Sequence, residues 1–364
     1  MEKIRHLFPG GNTCLGFYSF YDYMTYPDIK RKIVLKGGPG VGKSTFMKKL
    51  GEEFAQKGIE IEYHWCSSDN DSLDGVVIGN QQFCVLDGTA PHIVDPRFPG
   101  AVDEIINLGD FWDRDAVKKN RSAIVGLSEN ISRCFNRAYI RLREVEAAYE
   151  EWKSYYEEAR DEEAINRNIL ALTQDFLPAS SPSPVKPRHL FAGAITPDGL
   201  VSKVESIIDP DFALYAVKGS PGSGIKSLFD HVLHILNLQN TYAEIFHSPF
   251  DPREIDIIVL PRHKAVLLDV SANIFNYSRS LTNNKYKRWL DFDQFSQKDI
   301  IDPYGKQIFT ARNRFDAGIN EAVTFINTAK KYHDELETYY VPAMDFESVG
   351  RLREKLFGEL LADL

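Results

Sequence analysis

The sequence has few features of a secreted or membrane protein. It contains only four cysteines among 364 residues, with no C-x-x-C pair, which predicts neither a disulfide framework nor a zinc knuckle. No apolar run approaches the ~20 residues that a membrane-spanning helix needs. The first residues, MEKIRHLFPGG, lack the apolar stretch of a secretory signal. These absences predict a cytoplasmic protein without a membrane partner.

An excess of basic residues is absent as well. The chain carries 52 acidic and 43 basic residues, a net charge of −9, which excludes a generally basic coat protein and disfavours nucleic acid as a partner. Apolar residues make up 43% of the chain, enough for sizeable cores. At the usual ~100–200 residues per domain, a length of 364 residues favours about two domains.

The chain repeats itself at a nearly constant offset. Arg5-His-Leu-Phe8 recurs as Arg188-His-Leu-Phe191, and KIVLKGGPGVGKST, which begins at Lys32, recurs as LYAVKGSPGSGIKS, which begins at Leu214. Further short matches share this offset of 182 to 184 residues. A constant offset over several motifs predicts an internal duplication rather than two unrelated domains.

A Pro- and Ser-rich segment separates the two copies. Residues 178–187, PASSPSPVKP, are unsuited to a helix and predict an extended linker. We therefore predict a first domain over 1–177, a linker over 178–187 and a second domain over 188–364.

The first copy contains a complete phosphate-binding motif. The apolar run 33–35 predicts a buried parallel strand, and residues 37–44 match G-x-x-x-x-G-K-[ST] without a mismatch. Apolar residues then recur on one face from Phe46 to Phe54, which predicts a helix. Because strand, glycine-rich loop and helix follow in the order that the motif requires, we predict a P-loop NTPase domain.

The residue types in this motif suit a nucleotide phosphate. Glycines let successive backbone N–H groups point at phosphate oxygens, at the positive end of the following helix. Lys43 is predicted to reach the β- and γ-phosphates, Ser44 to ligate Mg²⁺ and Thr45 to contact the nucleotide further along. We therefore predict ATP and Mg²⁺ as cofactors. The predicted cofactor-binding residues are Gly37, Gly38, Pro39, Gly40, Val41, Gly42, Lys43, Ser44 and Thr45.

Carboxylates that follow two further predicted strands complete the predicted site. An apolar run ends in Asp87, the usual form of a Walker B strand, so Ser44 and Asp87 are the predicted Mg²⁺ ligands. Asp69 lies in a polar loop, where it is either a general base or substrate clamp, or part of a solvated Asx turn. His92 is a candidate for sensing the γ-phosphate. The predicted catalytic residues are Lys43, Asp87 and Asp69.

The second copy of the motif is degenerate. In GSPGSGIKS, which begins at Gly219, Ile225 stands between the last glycine and the lysine, and we interpret it as an inserted residue. One extra helical residue rotates Lys226 and Ser227 by about a hundred degrees, away from phosphate and Mg²⁺. Asp269 is retained at the Walker B position. The sequence therefore predicts one competent site and one degenerate, regulatory or structural partner.

Each half also contains a long apolar seam. Mostly apolar and aromatic residues recur at alternate spacings of four and three from Ile131 to Tyr156, and again from Phe315 to Tyr340. This period of 3.5 residues predicts long helices that lie against other helices. Either each helix packs on its own domain as a lid, or the two seams pair across a pseudo-twofold axis. We favour the pairing, which predicts an internal pseudo-dimer.

With these motifs in place, the chain resembles a family of tandem P-loop proteins from Gram-positive bacteria, which are described as ATP- or nucleotide-binding. The resemblance rests on the two glycine-rich loops and on the Val85-Leu-Asp-Gly-Thr-Ala-Pro-His92 stretch. It covers nearly the whole length and implies ATP binding by residues 37–45. The chain departs from the family pattern at Ile225, where members have a second intact loop, so a second ATP site is not implied.

The predicted fold is α/β: two tandem P-loop NTPase domains with parallel sheets, each with a long helical extension. An ATPase or ATP-driven switch, with ATP and Mg²⁺ at the first loop, is the leading hypothesis. The alternatives are a kinase acting on a small molecule or nucleotide, and a non-catalytic nucleotide-sensing scaffold with an unidentified small-molecule or protein partner. The sequence lacks the N-K-x-D and T-K-x-D motifs that recognise guanine, so we predict ATP rather than GTP.

Overall fold

Each half of the chain forms a six-stranded sheet and a separate two-stranded hairpin. The computed structural model describes residues 4–26, 28–90, 93–179, 182–183, 185–281 and 284–364. The halves are alike in their strand order, so the predicted α/β class and the internal duplication are confirmed. Within the described residues, no helix combines the length and the apolar character needed to cross a lipid bilayer.

The strands of the two halves correspond one to one. Those described in the first half are β1 (Ile4–Leu7), β2 (Gly10–Thr13), β3 (Gly16–Ser19), β4 (Arg31–Lys36), β5 (Ile61–Trp65), β6 (Leu73–Ile78), β7 (Phe83–Asp87) and β8 (Asp103–Asn107). Those described in the second half are β9 (Arg188–Phe191), β10 (Gly193–Thr196), β11 (Gly199–Ser202), β12 (Ala213–Lys218), β13 (Glu244–His247), β14 (Ile255–Leu260), β15 (Ala265–Asp269) and β16 (Tyr286–Asp291). The sheet orders are β1-β5-β6-β7-β4-β8 and β9-β13-β14-β15-β12-β16.

The sheets are mixed, so the prediction of purely parallel sheets is wrong. Strand β6 runs antiparallel to β5 and β7, and β14 runs antiparallel to β13 and β15. The other strands of each sheet run parallel to one another. The physical reason is the length of the connections: residues 66–72 and 79–82 are too few for the crossover of about a dozen residues that parallel neighbours require.

Two long helices pair along the predicted seams. The helices of the described residues are α1 (Lys43–Ala55), α2 (Arg114–Lys119), α3 (Arg121–Glu158), α4 (Glu162–Phe176), α5 (Ile225–Leu238), α6 (Lys298–Ile301), α7 (Gly305–Tyr340) and α8 (Phe346–Ala362). Helices α3 and α7 bury one common apolar cluster, which includes Leu142 and Tyr149 from α3 and Phe315 and Ile319 from α7. The 3.0 Å ion pair between Arg141 and Glu321, together with the pair between Glu151 and Arg314, shows that the two helices are antiparallel.

The helices that follow the long pair are exchanged between the halves. Helix α4 buries Ile165 and Phe176 in the core of the second sheet, and α8 buries Val349 and Leu360 in the core of the first. The predicted linker, of which residues 180, 181 and 184 lie outside the described part of the chain, therefore joins α4 to β9 of the same packing unit. Each sheet is completed by a helix from the other half.

A buried group of four charges joins the two sheets. The guanidinium group of Arg5 donates to both carboxylate oxygens of Glu244, at 2.9 and 2.5 Å, and that of Arg188 donates to both oxygens of Glu62, at 3.0 and 2.7 Å. Burial alone would raise the pKa of Glu62, but the two arginines and a bond from His64 hold it well below its usual range. Each arginine thus pairs with a glutamate of the opposite half.

Candidate functional site

The first glycine-rich loop lies between β4 and α1, at the carboxyl edge of the first sheet. Gly40 and Gly42 have φ angles of 67° and 88°, in the left-handed region that residues with a β-carbon rarely adopt. Val41 between them is fully buried in the core and fixes the loop to the sheet. Gly42 is the N-cap of α1, so the first N–H groups of this helix, which lack acceptors within it, lie at the end of the loop.

Lys43 and Asp87 meet beside this loop, as the sequence predicts for a phosphate and Mg²⁺ site. Lys43 Nζ lies 3.5 Å from Asp87 Oδ2 and donates to the carbonyl oxygens of Gly37 and Gly38, at 2.9 and 2.8 Å. The other carboxylate oxygen of Asp87 accepts the backbone N–H of Thr89 at 2.8 Å. Strands β4 and β7 are neighbours, with Leu35 opposite Asp87, and this pairing places the two charged groups at one edge.

Ser44 supplies a second oxygen on the same turn as Lys43. Its hydroxyl oxygen accepts the N–H of Leu73, the first residue of β6, at 3.1 Å. Mg²⁺ prefers oxygen ligands, so the hydroxyl of Ser44 and the carboxylate of Asp87 fit that ion by type. Thr45, the next residue, is exposed.

Asp69 forms an Asx turn in the loop after β5. Its carboxylate accepts the N–H of Asp71 at 3.2 Å and the hydroxyl of Ser72 at 2.8 Å. Lys330 of α7 lies 3.6 Å from the same carboxylate. The structure thus places Asp69 in a local turn that contacts the arm of the other half. His92, the other loop candidate, lies outside the described residues.

The end of α7 covers the first loop, which sequence reasoning missed. Glu337 Oε1 accepts the backbone N–H of Gly40 at 3.2 Å. A β-carbon built on Gly38 would lie 3.1 Å from the ring of Tyr340, so the helix leaves no room for a side chain there. A sequence signal existed, because the predicted seam runs through Leu336 and ends at Tyr340. A carboxylate from the second half therefore occupies a donor of the first loop.

Ile225 replaces the P-loop lysine, and the prediction of an inserted residue is wrong. Residues 37–42 and 219–224 give both loops the same length, and α5 begins at Ile225 as α1 begins at Lys43. Gly224 is an N-cap with φ of 113°, as Gly42 is with 88°. The next residue, Lys226, is 44% exposed and pairs with Asp230 at 2.7 Å. The lysine of the second loop therefore points away from the loop.

A cavity of about 230 Å³ lies beside this second loop. Side chains from α3 and from the segment after it, Lys153 and Arg160, form one part of its wall. Glu254, Asp256 and Asp269 form another part. Burial, reinforced by the neighbouring Asp269, raises the pKa of Asp256 well above its usual range. Neither Lys153 nor Arg160 was predicted, since both lie far from the second loop in the sequence.

Asp269→Asn is expected to stabilise the protein at high pH. Burial raises the pKa of Asp269 to about 6, although hydrogen bonds from Ser271 oppose the shift. The folded state therefore holds this proton more tightly than the unfolded chain, so the stability that it contributes is lost as the pH rises through about 6. Asparagine carries no charge and keeps an oxygen for the N–H of Ser271. In urea unfolding we expect a gain of about 1–2 kcal/mol at pH 8, allowing for solvent in the cavity, and little change at pH 4. An equal change at both pH values would contradict this account.

Comparison of the chain with protein-family models, with curated proteins and with solved structures finds no match. The geometry of the two loops is therefore the basis for the function proposed below.

Proposed function

We propose that the protein binds ATP with Mg²⁺ at residues 37–45 and acts in the cytoplasm as a Mg²⁺-dependent ATPase or ATP-driven switch. The observation that carries this proposal is the approach of Lys43 to Asp87, with 3.5 Å between Nζ and Oδ2, beside a glycine-rich loop. A loop lysine that contacts phosphates and a strand-end carboxylate that holds Mg²⁺ are recurring parts of nucleotide hydrolases.

A nucleotide at this loop would compete with α7. The N–H of Gly40 donates to Glu337, and a phosphate oxygen in the loop would accept the same N–H. The negative charges of phosphate and carboxylate also repel each other. ATP binding is therefore expected to drive the end of α7 off the loop, while Lys43 exchanges the carbonyl oxygens of the loop for phosphate oxygens. Because α7 pairs with α3, the nucleotide state would set the arrangement of the two halves.

Incubation with γ-labelled ATP, Mg²⁺ and a metabolite extract tests this function against the alternatives. We expect the label in free phosphate, as for an ATPase. Label in a metabolite would instead identify a kinase, and label that stays in ATP despite binding would identify a sensor. The same reaction without added extract shows whether hydrolysis depends on a partner molecule.

Asp87→Asn is expected to lower Mg²⁺-dependent turnover at least about tenfold, with a smaller effect on nucleotide binding. The substitution removes the negative charge that would hold Mg²⁺, while Lys43 and the loop N–H groups remain. Phosphate release and a fluorescent nucleotide titration measure the two effects. Asp316→Asn, on the exposed face of α7, is the matched control. Unchanged turnover in Asp87→Asn would remove this carboxylate from the proposed mechanism.

A further inference from the structure

We propose that the cavity beside the second loop is a second phosphate-binding site, whose positive charge comes from the other half of the chain. This inference does not rest on the function proposed for the first loop. It concerns a small phosphate-bearing ligand, either free phosphate or the phosphate group of a nucleotide. The cavity measures about 230 Å³ and lies where β12, the second loop and α5 meet the end of α3.

The second loop keeps the backbone form that binds phosphate. Gly222 and Gly224 have φ angles of 86° and 113°, like Gly40 and Gly42 in the first loop. The 14-residue helix α5 begins directly after the loop, so its first N–H groups have no acceptor within the helix. The N–H of Gly40 is taken by a carboxylate, whereas that of Gly222 has no acceptor among the described residues.

The positive charge has moved from the loop to the arm of the opposite half. At an offset of 184 residues, Lys153 corresponds to Glu337 and Arg160 corresponds to Met344. The backbone pairs of Met344 with Trp112 and of Arg160 with Ser296 show that the second correspondence also holds in space. The first site therefore combines a loop lysine with an incoming carboxylate, and the second combines a loop isoleucine with two incoming cations. Such an exchange keeps the charge needed for an anion.

Both cations are held beside the cavity. The ammonium group of Lys153 lies 3.8 Å from Glu254 and 3.2 Å from Glu150, and its side chain is 16% exposed. Arg160 donates to the carbonyl oxygen of Gly222, which fixes its guanidinium group at the loop, and its side chain is 18% exposed. Partly buried cations interact more strongly with an anion than fully solvated ones, because water screens them less.

An unpartnered hydroxyl group lines the same cavity. Ser248 is 1% exposed, and its Oγ has no hydrogen-bond partner among the described residues. Burying a hydroxyl group without a partner costs about 1–3 kcal/mol, so a ligand oxygen at this place would remove a penalty that the empty cavity carries. The serine follows β13 directly, at the carboxyl edge of the sheet where the glycine-rich loop also lies.

The carboxylates of the far wall are compatible with an anion in the cavity. The hydroxyl of Tyr277 donates to Asp256 at 2.9 Å, and that of Tyr149 donates to Glu254 at 3.2 Å. Burial also raises the pKa of the Glu254 and Asp256 carboxyl groups, which favours their neutral forms. The wall is therefore less negative than its composition indicates.

Calorimetric titration of the full-length Lys43→Ala variant tests the proposal, because the first loop is disabled in it. The probes are inorganic phosphate and Mg²⁺-free ADP, which distinguish the two sources of a phosphate group. We expect one binding event per chain for at least one probe. Adding Ser248→Ala should weaken it about 2- to 12-fold without lowering the melting temperature, because that hydroxyl has no partner in the protein. Adding Lys153→Met should weaken it more than about tenfold.

Arg133→Ala, an exposed substitution on the same helix α3, is the matched control and should leave the affinity unchanged. Absence of binding by both probes would overturn the proposal. So would binding that persists unchanged in both Ser248→Ala and Lys153→Met. A loss of ATP turnover in Lys43→Ala with phosphate binding retained would separate the second site from the function proposed for the first.

Discussion

Lys43→Ala is expected to abolish the thermal stabilisation that ATP and Mg²⁺ give the protein, whereas Lys226→Ala keeps most of it. Lys43 lies between the carbonyl groups of its loop and Asp87, where a phosphate would bind. Lys226 points to solvent and pairs with Asp230. A ligand present at 100 times its dissociation constant stabilises the folded state by about 2.7 kcal/mol, which corresponds to a melting temperature higher by roughly 5 °C. Differential scanning fluorimetry with and without nucleotide measures both variants.

The matched pair makes this result decisive for the unequal roles of the two loops. Both substitutions remove one lysine from the first turn of equivalent helices, α1 and α5. Melting of each variant without ligand shows whether the fold is preserved. Equal losses of stabilisation from Lys43→Ala and Lys226→Ala would contradict the proposal of a single ATP site at the first loop.

Arg188→Met is expected to lower the free energy of unfolding by about 3–5 kcal/mol. The side chain of Arg188 is only 3% exposed, and its removal leaves Glu62 and Glu244 with Arg5 as their remaining partner among the four charges. A buried carboxylate without its cation is far more costly than the intact pair is stabilising. Urea denaturation, followed by circular dichroism, measures the loss.

A compensating substitution separates the cost of the stranded charge from lost packing. Adding Glu62→Leu to Arg188→Met should recover part of the stability, because it removes the carboxylate that the first substitution leaves without a close partner. Arg351→Met, whose side chain is 61% exposed, is the control and should change the free energy of unfolding by less than about 0.5 kcal/mol. A loss below about 1 kcal/mol in Arg188→Met would show that the charged group does little to hold the sheets together.

The features predicted well from the sequence depend on neighbouring residues. The Walker B strand predicted at 83–87 is β7, Phe83–Asp87, because an apolar run bounded by turn residues fixes a buried strand locally. The helix predicted after the first loop is α1, and its buried face carries Phe46 and Phe54 as the spacing indicates. The approach of Lys43 to Asp87 followed from these two elements, since parallel neighbouring strands end at one edge.

The features that were missed depend on contacts between distant segments. Nothing near Glu337 or Arg160 in the sequence shows which loop they meet, because that is decided by the pairing of α3 with α7. The direction of β6 was missed since attention to its repeat hid the shortness of its connections. Ile225 was interpreted as an insertion because the lysine after it drew the alignment, whereas the helix start fixes the true equivalence.

The exchange of α4 and α8 has a consequence for the growing polypeptide. Phe54 of α1 contacts Phe357 of α8, at a distance of 4.8 Å between ring centroids and a sequence separation of 303 residues (357 − 54). At a translation rate of about 5–20 residues per second, the ribosome reaches that partner about 15–60 s after it has made α1. Throughout this interval the first sheet has an uncovered apolar face. The amino-terminal half therefore depends on protection during synthesis, and it completes its fold only when the last helix is released.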